Sequence, residues 1–368
     1  MPATIPFTRG VPSADLLPVD DLRAAALAAL DADPAGALAY VPGGYRPLRE
    51  WIAGRHGVDP ERVLLVNGSL QGVVFLAQTL LGGGGGTAVV EDPTYDRTLT
   101  VFRAAGAGLH PVSLERDGLA VDALAADLRA GLRASVAYVI PTFQNPAGVS
   151  LSLEKRRALV ELARDHGMLL IEDDPYRLLR FEGEPLPSLH ELDGGDNVVY
   201  SSSFTKTVAP GLRTGYLVLP ERLVKPLAAI SANTYIGPNA FAEAVLAAYC
   251  KAGRFEPNVA RTTADLRARR DAMADALGEH LADRATWLTP AGGYFFWVEL
   301  RDGVDSAALL PEATARGVAF LQGNDFSASG TAGGALRLAF SACSPEQIGE
   351  GIERLAAVVA GRPSPAVA

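Results

Sequence analysis

The sequence predicts an α/β protein, with a large domain on a mostly parallel mixed sheet flanked by helices and a smaller α+β domain beside it. Three observations carry this expectation. Short apolar runs alternate with helix-period segments between residues 48 and 219, the pattern of parallel strands whose two faces are covered by helices. Beyond residue 220 long helical stretches give way to a tighter mixture of strands and helices. The chain has 368 residues, 48% of them hydrophobic, room for two cores at about 150 residues per domain.

Helical spacing over 48–56 precedes a strand at 63–66 and a helix at 70–81. Strand 87–91, helix 97–105, strand 109–114, helix 121–132 and strand 136–141 follow. Helix 153–166 and strands 168–173, 198–202 and 215–219 complete the large sheet. Helices dominate from there to residue 281, and Arg261, Arg267, Arg269 and Arg270 read as a solvated face. Strand 294–300, helix 306–316, strands 318–321 and 336–340 and helix 345–358 make the small unit. The first 35 residues are expected to pack with it, giving domains of 36–250 and of 1–35 plus 251–368. The glycine run Gly82–Gly86 follows a helix and lacks the Gly-Lys-Ser/Thr ending of a phosphate loop, so it reads as a plain connection.

A net charge of −9 leaves no electrostatic footprint for a nucleic-acid backbone. Cys250 and Cys343 have no CxxC or histidine partner spacing, which argues against a metal site or disulfide framework and fits a reducing cytoplasm. No 18-residue apolar run is present, so no membrane partner is expected. Only four of the 33 basic residues are lysines, Lys155, Lys206, Lys225 and Lys251. Arginine cannot do amine chemistry, so each lysine is a candidate.

Three strand ends carry candidate chemistry. Tyr200-Ser-Ser-Ser-Phe-Thr-Lys206 places an amine just past three hydroxyls, with Arg213 following a Pro-Gly turn. Ligands in open α/β sheets bind outside the carboxyl ends of strands. Hydroxyls plus an arginine suit a phosphate, and an amine beside a phosphate suits a Schiff-base cofactor. Leu169-Leu-Ile-Glu-Asp-Asp-Pro-Tyr176 ends an apolar strand in three acids. From residue types alone, either Asp173 or Asp174 could pair with a cationic ring nitrogen. Ile140-Pro-Thr-Phe-Gln-Asn145-Pro-Ala-Gly148 is a turn whose Asn145 can donate to a phenolate-type oxygen.

In order and approximate spacing these segments resemble the class I/II aminotransferases of fold type I, which depend on pyridoxal phosphate (PLP). The similarity is greatest to the 2-aminoadipate and kynurenine aminotransferase branch and runs from about residue 7 to residue 355. It implies a homodimer with active sites at the subunit interface. It also implies transfer of the α-amino group of an L-amino acid to a 2-oxo acid by a ping-pong route through a Lys206 aldimine. Residue by residue, Lys206 matches the aldimine lysine and Asp173 the acid facing the ring nitrogen. Tyr95 matches the aromatic residue stacked on the ring and completes the catalytic set. Ser203, Arg213 and the backbone of Gly68, Ser69 and Leu70 match the phosphate site, a role that also suits a helix N-terminus. Asn145 and Tyr176 match the pair that binds the ring oxygen. Tyr40 resembles a tyrosine reaching the neighbouring subunit's phosphate. Arg337 matches the arginine that clamps the substrate carboxylate, with Asn145 and Gly10 beside it. Arg9 stands where the family usually has glycine and could meet an acidic substrate side chain. The same cofactor motifs would also serve a lyase, cyclase or oxidase of amino acids, or the effector domain of a transcription regulator.

Overall fold

The computed structural model describes residues 4–83, 85–301 and 303–361. Strands occur at β1 Ile5–Pro6, β2 Val63–Val66, β3 Thr87–Asp92, β4 Gly108–Glu115, β5 Gly118–Leu119, β6 Val136–Val139 and β7 Leu169–Asp173. They continue with β8 Val198–Ser203, β9 Gly215–Val218, β10 Ala285–Trp287, β11 Phe295–Leu300, β12 Val318–Ala319, β13 Leu321–Gln322 and β14 Ala335–Ala339. The α-helices are α1 Val19–Ala32, α2 Pro34–Leu38, α3 Arg46–His56, α4 Ser69–Leu80, α5 Asp96–Ala104, α6 Val121–Arg129 and α7 Leu153–Asp165. After them come α8 Leu189–Asp193, α9 Glu221–Tyr235, α10 Ala240–Lys251, α11 Phe255–His280, α12 Leu310–Ala315 and α13 Pro345–Ala360.

Eight strands form one mixed sheet in the order β2-β9-β8-β7-β6-β3-β4-β5. The neighbours β4, β3, β6, β7 and β8 run parallel, whereas β9 is antiparallel to both β8 and β2. Strands β2, β6, β7 and β8 are buried along their whole length, as expected of a sheet covered on both faces. A smaller antiparallel sheet, β10-β11-β14-β13, shares a hydrophobic core with α11 and α13. This is the α/β architecture with a large mixed sheet and a small sheet domain. Among the described residues no helix is long and apolar enough to cross a membrane.

The N-terminal 35 residues contribute to two different hydrophobic cores. β1 pairs in parallel with β12, and the Phe7 ring fills the space that a Cβ on Gly351 would need. Helix α1 instead lays Ala25 and Ala29 in the core shared by α3, β2 and α10. The arginine-rich stretch is only partly a solvated face. Arg269 and Arg270 are buried, the first donating to the carbonyls of Ser341 and Cys343 and the second to Pro290 O at 2.7 Å. Composition gave no sign of this, because a guanidinium can be buried once backbone carbonyls accept its protons.

Another buried arginine shapes the site directly. Arg156, in α7, donates to Leu151 O (2.9 Å), Pro141 O (2.6 Å), Thr142 Oγ1 (2.9 Å) and Pro187 O (3.0 Å). It therefore pins both ends of loop 141–151, which carries Asn145. Arg156→Met should fill the same space yet take the guanidinium donor from Leu151 O and Pro187 O, while Pro141 O keeps the Leu151 N–H at 2.8 Å. At about 1–3 kcal/mol for each buried group left unmade, a loss of at least about 2 kcal/mol is expected. Urea unfolding would measure it; a midpoint equal to wild type would refute the clamp.

Candidate active site

The carboxyl ends of β6, β7 and β8 open into one cavity of about 360 Å³. Strand alternation decides which acids reach it. Successive residues of a strand face opposite sides, so Asp173 lines the cavity while Glu172 and Asp174 turn away from it. Glu172 accepts the N–H groups of Leu189 and His190, both at 2.9 Å. Asp174 faces Arg177 at 3.6 Å. Of the two aspartates, Asp173 faces the cavity and Asp174 the other side of the sheet.

Asp173 is buried, and both of its oxygens have donors. Tyr138 Oη donates to Oδ2 at 2.6 Å and Ser201 Oγ to Oδ1 at 3.3 Å. Burial pushes the carboxyl up to about 6, against the pull of these hydrogen bonds and of Lys206.

Lys206 sits in the turn after β8, closed by Val208 N–H to Phe204 O at 2.9 Å. Tyr294 Oη holds its backbone carbonyl at 2.8 Å. The side chain enters the cavity, donates to Gly10 O and lies 5.7 and 5.4 Å from the ring centres of Tyr176 and Tyr294. Burial, reinforced by the positive charge of Arg337, brings the ammonium down to about 8. A neutral amine is therefore within reach near neutral pH, where a free lysine at about 10.4 would be almost fully protonated.

Arg213 and the N-terminus of α4 form the other end of the cavity. Gly68 has φ +88°, and a Cβ there would stand 2.2 Å from Arg213 Nη2. A Cβ on Gly215 would likewise stand 2.3 Å from Ser69 N. Two glycines thus let a guanidinium and the first N–H groups of a helix converge, an arrangement suited to an anion. Ser203 Oγ lies alongside and accepts Thr205 N–H at 3.0 Å.

Arg337, on β14, projects from the small sheet toward the large one. Its guanidinium lies 4.3 Å from the Phe295 ring centre and 4.7 Å from that of Phe326. Nη1 donates to Asn145 Oδ1 at 2.9 Å and Nη2 to Thr8 O at 2.8 Å. Nε is buried without a partner among the described residues. Asn145 itself is placed by a cis bond to Pro146 and by Gln144, whose side chain donates to Glu91 Oε2 and Pro93 O.

Twelve of the residues singled out in the sequence line this one cavity: Lys206, Asp173, Tyr95, Gly68, Ser69, Leu70, Asn145, Tyr176, Ser203, Arg213, Arg337 and Gly10. Tyr40 and Arg9 do not; both are exposed, Tyr40 to 82%. Thr8, Val11, Asp96, Arg97 and Leu321 also line the cavity and were missed. Tyr138 was missed as well, although a phenol in an otherwise apolar strand was a usable signal.

Residues 5–355 match the family described as aminotransferase class I and II. The chain belongs to this family. It is 31% identical over 366 residues to aromatic-amino-acid aminotransferase 1 of Thermococcus litoralis, covering 96% of this chain and 88% of that one. It is 32% identical over 364 residues to the 2-aminoadipate transaminase of Thermus thermophilus, covering 98% and 91%. Among solved structures, the kynurenine aminotransferase of Pyrococcus horikoshii, crystallised with PMP, superposes with a TM-score of 0.93 at 32% identity, over 97% of this chain and 91% of that one. The cofactor of this PLP-dependent aminotransferase is pyridoxal phosphate, and the cavity fits it. A glycine-lined anion cradle, a buried amine and a buried carboxylate occupy three sides of one space, and the unpartnered Arg337 Nε marks a place for a further anion.

Proposed function

We propose that the chain moves the α-amino group of an L-amino acid to a 2-oxo acid in two half-reactions at this cavity. The observation that carries the reading is the placement of Lys206, a buried amine brought down to about 8, in one cavity with Asp173 and Arg337. When bound, pyridoxal phosphate supplies an aldehyde for that amine and a ring that withdraws electrons from substrate Cα. Gly68, Ser69, Leu70, Ser203 and Arg213 would hold the phosphate. Asp173 would supply a negative charge for the ring nitrogen, and Tyr95, Asn145 and Tyr176 would hold the rest of the ring. Arg337 takes the substrate carboxylate with Nε and Nη2 side by side, the bidentate geometry for which arginine is suited. Gly10 O, now engaged by Lys206, is available to substrate once the lysine moves. Lys206 would then take the proton from substrate Cα as general base and, as general acid, deliver it to the carbon that the cofactor brings as its aldehyde.

A panel of L-amino acids tests the reaction class. Donors should bleach the cofactor's visible band without oxygen uptake, and a 2-oxo acid should restore it. Turnover that needs no 2-oxo acid would indicate a lyase or oxidase instead.

We further propose a homodimer in which Tyr40 of one copy reaches the phosphate site of the other. Leu38, Tyr40, Ile236 and Phe241 are exposed, and Gly237 packs closely on Val41 O. The patch adjoins the anion cradle, because Asn239 N–H donates to Asn67 Oδ1 at 3.2 Å. Sedimentation should give twice the 38.5 kDa chain mass, and a monomer active at full rate would refute the arrangement. Both cysteines are buried and free, which supports the cytoplasm as its location.

A further inference from the structure

We infer that Tyr138, assisted by Ser201, is a positioning residue for the reaction: two donors on the strands flanking Asp173 fix its carboxylate toward the cofactor's ring nitrogen. The inference rests on the proposed role of Asp173. Its basis is the sheet itself. β6 and β8 run parallel to β7 on either side, with Tyr138 paired to Ile171 and Ser201 paired to Asp173. The Tyr138 ring is fully buried, with its edge-to-face neighbour Phe102 at 6.0 Å between ring centres. A ring packed in that way has little freedom, so its hydroxyl meets Oδ2 at 2.6 Å in a fixed direction. Ser201 holds the other oxygen at 3.3 Å.

Such an arrangement does two things. It sets the plane of the carboxylate, because each oxygen has its own donor. It also favours the anion, since a hydrogen bond to the charged form stabilises that form against burial. Both donors pull the Asp173 carboxyl downward, Tyr138 more than Ser201. Tyr138 remains protonated throughout, because burial and the adjacent carboxylate push its hydroxyl well above the usual phenol range. It is a permanent donor.

The other charged or titratable groups facing Asp173 are Asp174 on its own strand, Glu91 on β3, Tyr95 ahead of α5, Tyr176, and Lys206 after β8. All of them are retained in Tyr138→Phe, which removes one oxygen from a fully packed ring.

The test compares two probes on the full-length apoprotein: pyridoxal phosphate, and its 1-deaza analogue with C–H in place of the ring nitrogen. Affinities come from spectral titration. Wild type should prefer pyridoxal phosphate. Asp173→Asn should abolish most of that preference; if it does not, the reading of Asp173 fails. Given that loss, Tyr138→Phe should reduce the preference about tenfold, the scale of a hydrogen bond to a charged group, with the analogue bound as tightly as by wild type. Ser201→Ala should reduce it in the same sense by a smaller factor. The pH below which the preference disappears should also move upward in Tyr138→Phe. A packing role alone would weaken both probes equally and leave their ratio unchanged, and that outcome overturns the inference. Should Tyr138→Phe fail to fold, an unchanged ratio in Ser201→Ala overturns it instead.

Discussion

Lys206→Ala is expected to lose transamination by at least about four orders of magnitude while keeping its fold and its affinity for the cofactor phosphate. General acid–base catalysis alone contributes about 10²–10⁴-fold, and the same amine is also the covalent anchor. The fold should survive, because the Lys206 backbone is held independently by Tyr294 Oη and by the 204–208 turn. Phosphate binding should survive because Arg213, Ser203 and the α4 N-terminus do not depend on the side chain. Stopped-flow absorbance with an amino-acid donor separates the parts. A wild-type rate would remove Lys206 from the reaction. The pH dependence gives a second reading of the same side chain. With the ammonium brought down to about 8, the neutral amine becomes the major form above that pH. Uptake of pyridoxal phosphate by the wild-type apoprotein should therefore accelerate as pH rises through about 8 and then level off. The other lysines provide an internal control, because borohydride trapping should label Lys206 and leave Lys155, Lys225 and Lys251 unlabelled.

Arg337→Ala should reduce kcat/KM for amino acids by about 10²–10³-fold, with cofactor affinity nearly unchanged. Truncating one partner of a buried charge pair costs about 2–5 kcal/mol, and 1.4 kcal/mol corresponds to tenfold. Arg337→Lys should recover only part of this. A lysine offers a point charge rather than a planar fork, and it cannot fill the gap between the Phe295 and Phe326 rings or serve Asn145 and Thr8 together. The discriminating measurement uses amines that lack the α-carboxylate. Their slow reaction should be the same in wild type and Arg337→Ala, because the lost contact is one they never made. An equal loss for amines and amino acids would make Arg337 a support for the cavity wall.

The alternation of strands and helices was legible from residue 48 to residue 219, because fully buried parallel strands are continuous apolar runs. The cavity residues were legible where chemistry sits at a strand end, as with Lys206, Asp173 and Asn145. Other features were hidden for physical reasons. Strand order is set by contacts distant in sequence, so the antiparallel β9 between β8 and β2 left no local mark. Arg269 and Arg270 looked like surface charge, since nothing local reveals which guanidinium will find carbonyl acceptors. The N-terminal segment looked like one unit, although β1 and α1 serve different cores. Tyr138 was read as part of an apolar strand because its ring behaves as one; only the partner strand shows where its hydroxyl goes.

The β8–β9 connection gives the molecule a restriction on how it can vary. Lys206 and Arg213 both lie on it, and its ends are pinned where Ser203 pairs with Gly215. One short stretch of chain therefore carries the reactive amine and an anchoring cation at a fixed separation. An insertion or deletion between them would change both at once. Swaps of this connection with a relative should therefore succeed only when the interval from Ser203 to Gly215 is exchanged whole.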